Sequence, residues 1–152
     1  MQKVEILLAR SWRPVSLFIQ IMTLSRWSHV GVVDRERGVV VEAVAFKGCV
    51  ETPIESFTKR YSHVERRFLP VVDRTIAQLL WRNYVLLRVP YDWRMGLSWW
   101  FRTKKWQRKR AVSCSEFVAL GTGFCDEPYR MTPEALRLIS LPGDYNEQAP
   151  RD

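Results

Sequence analysis

Three residues with the chemistry for acyl transfer stand in apolar or helix-starting surroundings: Cys114 in SCSEFVAL, His29 in SHVGVV and Glu42 in VVVEA. A thiol attacks a carbonyl only as thiolate, a form favoured at a helix N-terminus or beside an imidazolium. Ser113 and Glu116 have the S-x-x-E spacing of a capping box followed by an apolar run, so a helix is predicted to start at Cys114. The free backbone N–H groups of such a start would also hold an oxyanion. Without a base, Cys114 reads more simply as a small buried hydrophobe.

His29 supplies a base. HVGVVD and GVVVEAVAF, joined by the polar DRERG, are predicted to form a β-hairpin. If the hairpin closes at Val33 and Gly38, His29 lies directly opposite Glu42 on one sheet face. A carboxylate there would fix the imidazole tautomer and favour its protonated form. Glu42 reads otherwise as a solvent-facing charge. Its valine and alanine neighbours argue for a paired role, because a lone buried charge is costly. His63, among charges in RYSHVERRF, is expected to be exposed. Cys49 and Cys125 have no comparable context and are expected to be structural.

The remaining elements must position these groups. VEILLA predicts a buried strand, and Pro14 opens a helix with apolar residues at Val15, Phe18, Ile19 and Met22. CVETPI and HVERRFLPV predict two further strands. Asp73 is a good N-cap for a helix with an apolar stripe of Ile76, Leu79, Leu80, Tyr84 and Leu87. The class expected is α+β, an antiparallel sheet packed against helices, in one domain over 1–140 with a polar tail over 141–152.

The 152 residues are 47% hydrophobic and 26% charged, which is globular composition, and their formal charge of +8 biases the protein toward anionic partners. Three cysteines do not make a disulfide framework. Two histidines and no C-x-x-C leave no basis for a metal site, and no cofactor motif is present. MQKVEILLARSW lacks the apolar core of a signal peptide, and no apolar stretch approaches the roughly 20 residues of a transmembrane helix. A cytoplasmic or virion-associated protein is expected.

SHVGVV, VVVEA, VPYDW and SCSEFVAL, in that order, resemble the circularly permuted branch of the NlpC/p60 papain-like cysteine hydrolases, the YiiX-like group. The resemblance covers roughly residues 4–124. It implies a permuted papain-like fold with Cys114 as nucleophile, His29 as base and Glu42 as the third polar residue. Tyr91 of the Y-D pair would lie in or beside the active site, and Asp92 would be structural. Lys3 and Val4 replace the Gly-Asp pair that often precedes the first strand in that family. The implied activity is thiol attack on an amide or ester. Substrates in the family range from cell-wall peptides to acyl lipids.

LSWWFRTKKWQRKRAV carries six basic residues between Arg102 and Arg110. Trp99, Trp100 and Trp106, with Arg102, Lys104 and Lys105, are candidate contacts to a membrane interface or an anionic cell-wall polymer. Single-stranded nucleic acid is a weaker alternative, and a solvated cationic loop is the plain one. Three functions follow: a cysteine peptidase or amidase acting on peptidoglycan, in a bacterium or phage; a lipid or ester hydrolase or acyltransferase with the same triad; and a non-catalytic basic binding or virion protein.

Overall fold

The computed structural model describes residues 1–92, 111–123, 125 and 127–143. Among these residues a six-stranded antiparallel sheet is accompanied by five α-helices. The elements are β1 (Gln2–Arg10), α1 (Pro14–Thr23), β2 (His29–Asp34), β3 (Val39–Val44), β4 (Gly48–Pro53), α2 (Ile54–Arg60) and β5 (His63–Val71). They continue with α3 (Arg74–Leu86), α4 (Cys114–Leu120), a 3-10 turn (Pro128–Arg130), α5 (Pro133–Ile139) and β6 (Leu141–Pro142). The strand order is β4-β3-β2-β1-β5-β6, so the short β6 draws the first two residues of the expected tail into the sheet.

Strand alternation divides the core in two. Ile6, Leu8, Val30, Val32, Val41 and Ala43 pack with Phe117 and Val118 of α4 and with Ala77 and Trp81 of α3. Leu7, Ala9, Val33 and Val40 pack with Phe57 of α2. Side chains two residues apart along a strand share a face.

The hairpin forms, but not in the expected register. Asp34 pairs with Val39 and Val33 with Val40, a slip of two residues from closure at Val33 and Gly38. Continuing that register sets Gly31, not His29, opposite Glu42. A two-residue slip preserves side-chain parity, so His29 and Glu42 still share a face as diagonal neighbours. A Cβ at Gly31 would stand 2.4 Å from Val40 Cγ1 and 3.4 Å from Glu42 Cβ, so a side chain there would collide with the residues of this face.

Helix α3 starts at the expected cap, the Asp73 carboxylate accepting the Ile76 N–H at 2.9 Å. Its buried face is Ala77 and Trp81, whereas Ile76, Leu79 and Leu87 of the expected stripe are exposed. The indole decides the orientation. Trp81 Nε1 donates to the Phe117 carbonyl at 2.9 Å, and its ring lies where any Cβ at Gly121 would come within 2.1 Å. Helix α1 forms where its apolar spacing predicts, yet its only buried residue is Ser16. Its apolar side chains therefore serve something other than the core.

Candidate active site

Ser113 caps α4 as expected. Its hydroxyl accepts the Glu116 N–H at 3.3 Å, and the Glu116 carboxylate accepts the Ser113 N–H at 3.4 Å. Cys114 is therefore the first residue of the helix. Ser115 fastens the same end by donating to the Met131 carbonyl at 2.6 Å. Asp92 N–H donates to Val112 O at 2.9 Å and Val112 N–H to Pro90 O at 3.0 Å, which sets Tyr91 beside the start of α4.

His29, the first residue of β2, meets α4 at this point. It is hydrogen-bonded to Glu42, and Cys114 acts on the same imidazole. Its Nε2 lies 2.5 Å from Glu42 Oε2. Burial works against the imidazolium, but the bonds to Cys114 and Glu42 outweigh it and raise the His29 pKa to about 9. Glu42 is completely buried. Burial alone would raise its pKa, but the hydrogen bond and charge of His29, with Thr52 and Arg60, bring it down to about 2. Burial first, then the neighbouring Cys114, holds the Tyr91 phenol well above its ordinary pKa.

The structure thus brings together the four catalytic candidates of the sequence, Cys114, His29, Glu42 and Tyr91. Asp92 is buried beside them. His63 is exposed, stacked on Trp27 at 5.6 Å between ring centroids. Cys49 is buried, and burial pushes its thiol up to about 12, so it is held as thiol at neutral pH. Trp99, Trp100, Arg102, Lys104, Lys105 and Trp106 lie outside the described residues.

Sequence reasoning missed the support of Glu42. Thr52 donates to Glu42 Oε1 at 2.6 Å, and Arg60 pairs with the same oxygen. Tyr61 stacks on the His29 ring at 5.5 Å, Phe57 meets it at 5.9 Å, and Arg60 lies over both aromatics. Phe57, Arg60 and Tyr61 follow the i, i+3, i+4 spacing of one helical face. In the sequence that spacing was the one available signal, and it named no partner.

A cleft of about 620 Å³ opens onto Cys114. Among the described residues its walls are α1, through Val15, Phe18, Ile19 and Met22, and the turn at Ala45 and Phe46. Tyr91, Asp92 and Ser113 lie at its base with the thiol. Ser16 fixes α1 over this site: its hydroxyl donates to Ser28 Oγ at 2.5 Å, next to His29, and accepts the Ser11 N–H at 3.0 Å.

Fold and site together define an α+β protein with a helix-capped cysteine against a strand-borne His–Glu pair. Among solved structures the chain is similar to the metalloprotein YiiX of Escherichia coli O157:H7, a DUF1105 protein. The TM-score is 0.56 at 23% identity, over 79% of this chain and 63% of that one. The likeness is one of fold, and the chain spans less than two thirds of that protein's length. No family model matches the chain, and none of the curated proteins does. YiiX is titled a metalloprotein; among the described residues here no group of three or more His, Cys, Asp or Glu is placed to hold a metal ion. No described helix is long and apolar enough to cross a membrane.

Proposed function

We propose that the protein is a cysteine hydrolase of the circularly permuted NlpC/p60 papain-like kind, acting on a carbonyl through Cys114, His29 and Glu42. The observation that carries this reading is the buried His29–Glu42 pair, 2.5 Å apart, set against Cys114 at the capped start of α4. His29 already carries its proton below about pH 9, so the step starts from an imidazolium–thiolate pair, and the sulfur attacks the carbonyl carbon. The oxyanion is met by the Cys114 N–H and the Tyr91 hydroxyl. As the C–N or C–O bond breaks, His29 gives its proton to the leaving group. Water then attacks the thioester, giving one proton to His29, and the thiolate departs. Glu42 stays ionised throughout and holds the imidazole.

A peptide amide of the cell wall and a lipid acyl group remain the two substrate classes. The cleft favours the second, because its α1 wall offers a substrate apolar side chains and no charge. The test compares long-chain with short-chain acyl esters and with peptidoglycan fragments. Long-chain esters are expected to turn over fastest, with loss in Cys114→Ala. Cleavage of peptidoglycan fragments alone would leave the triad standing and overturn the acyl assignment. Equal turnover by the parent and Cys114→Ala would overturn the enzyme reading.

A further inference from the structure

The rim of the cleft has the character of a membrane-facing surface. Val15 and Phe18, of the cleft lining, are 57% and 58% exposed, and Trp12, Ile21 and Leu24, along and beside the same helix, are 78%, 66% and 77% exposed. Phe46, on the facing turn, is 96% exposed and has a left-handed backbone with φ 66°. That conformation suits Gly or Asn, and a phenylalanine held there in water is a costly choice unless the ring is used. Exposed apolar side chains lining the mouth of a cleft, as Val15, Phe18 and Phe46 do, mark an interaction site.

Charge identifies the partner. Arg13, Arg26 and Lys47 are exposed within two residues of Trp12, Leu24 and Phe46 respectively. Neither 10–29 nor 43–50 contains an acidic residue. Aromatic and aliphatic side chains flanked by cations, on a helix too short to span, fit the interface of an anionic bilayer. A soluble acidic protein would meet the same cations but would leave the aliphatic residues Ile21 and Leu24 without a matching phase.

We infer that α1 and the Phe46 turn dock the protein on an anionic lipid surface, with the cleft to Cys114 opening into the acyl layer. The docking itself does not depend on the hydrolase reading, so binding is measured in the full chain carrying Cys114→Ala. Sedimentation with vesicles of phosphatidylcholine alone, or with phosphatidylglycerol added, reads it directly. Strong binding is expected only to the anionic vesicles, weakening as salt is raised. Phe18→Gln with Phe46→Asn should weaken binding by about tenfold or more, as two lost apolar insertions imply. Arg13→Gln with Arg26→Gln should remove the preference for anionic lipid. Leu86→Gln, an exposed apolar site on α3 outside the cleft lining, should leave binding unchanged. Circular dichroism of each variant confirms that it is folded. No binding to either vesicle would overturn the inference, as would equal losses in Leu86→Gln or none in Phe18→Gln with Phe46→Asn. If the two phenylalanine changes instead convert a dimer to a monomer in sedimentation velocity, the face joins two copies of the chain and the lipid assignment falls.

Discussion

Cys114 and Cys49 are both buried, so solvent access alone does not separate them. Their neighbours do. Cys114 has His29 and Tyr91 at its sulfur and heads a capped helix, whereas burial with no compensating partner pushes Cys49 up to about 12. A small alkylating reagent is therefore expected to modify Cys114 well before Cys49 at pH 7, with the sites located by peptide mass mapping. His29→Ala should slow that modification by about tenfold or more, because the imidazolium that favours the thiolate is lost. Glu42→Gln should act in the same direction, since a neutral amide supports the imidazolium less. Equal rates at the two cysteines, or no effect of His29→Ala, would remove the basis for a reactive thiol. The cysteine, the histidine and the glutamate could be read as a set only when SHVGVV, VVVEA, VPYDW and SCSEFVAL were taken in order, since Cys114 alone reads as a buried hydrophobe. Arg60 and Thr52 were not legible: an arginine on a short helix and a threonine on a strand are ordinary until the fold sets them on one carboxylate oxygen.

Elements were read better than their faces. Caps and apolar spacing located α3 and α4, because Asp73 and Ser113 act on backbone N–H groups within the same turn. The buried side of α3 is a tertiary matter. A leucine stripe and a lone tryptophan compete, and Gly121 admits the tryptophan. Gly121→Ala should therefore drive a methyl group into the indole and cost about 1–3 kcal/mol, read as a lower urea midpoint at unchanged slope. An unaffected midpoint would show that α3 can shift away from α4. The hairpin teaches a related lesson. Valine runs on both strands give no preference between registers two residues apart, but parity confines His29 and Glu42 to one face in either. The site was thus insensitive to an error in pairing. The role of α1 was hidden for another reason. Apolar helical spacing is the same whether the face meets a core or a cleft.

At the scale of the whole molecule, the site is also a cross-link, and its protons enter global stability. Glu42 joins β3 to β2 through His29, to β4 through Thr52 and to α2 through Arg60. Four shifted groups shape the pH dependence below the range where tyrosines and Cys49 titrate: Asp34, whose pKa burial would raise but Arg82 and Arg37 bring down, and Glu42, Glu116 and His29 about the site. The Glu42 pKa, lowered to about 2, stabilises the fold above about pH 4.5, and this contribution fades as pH falls toward 2. Glu116 is raised to about 7, first by burial, so the fold loses stability as pH rises from about 4.5 through 7. His29 is raised from 6.5 to about 9, so its contribution is complete below about pH 6.5 and is lost as pH rises through 9. Urea unfolding between pH 6.5 and 9 should accordingly show a decline on the order of 2–3 kcal/mol. Glu116→Gln should remove the part of the decline near neutrality and leave the alkaline part. His29→Asn should flatten the alkaline part. Cys114→Ala should shorten it, since the thiol bond is the largest cause that raises the imidazole. A parent curve that is level from pH 6.5 to 9, or one that Cys114→Ala leaves unaltered, would mean that His29 does not hold its proton between Cys114 and Glu42.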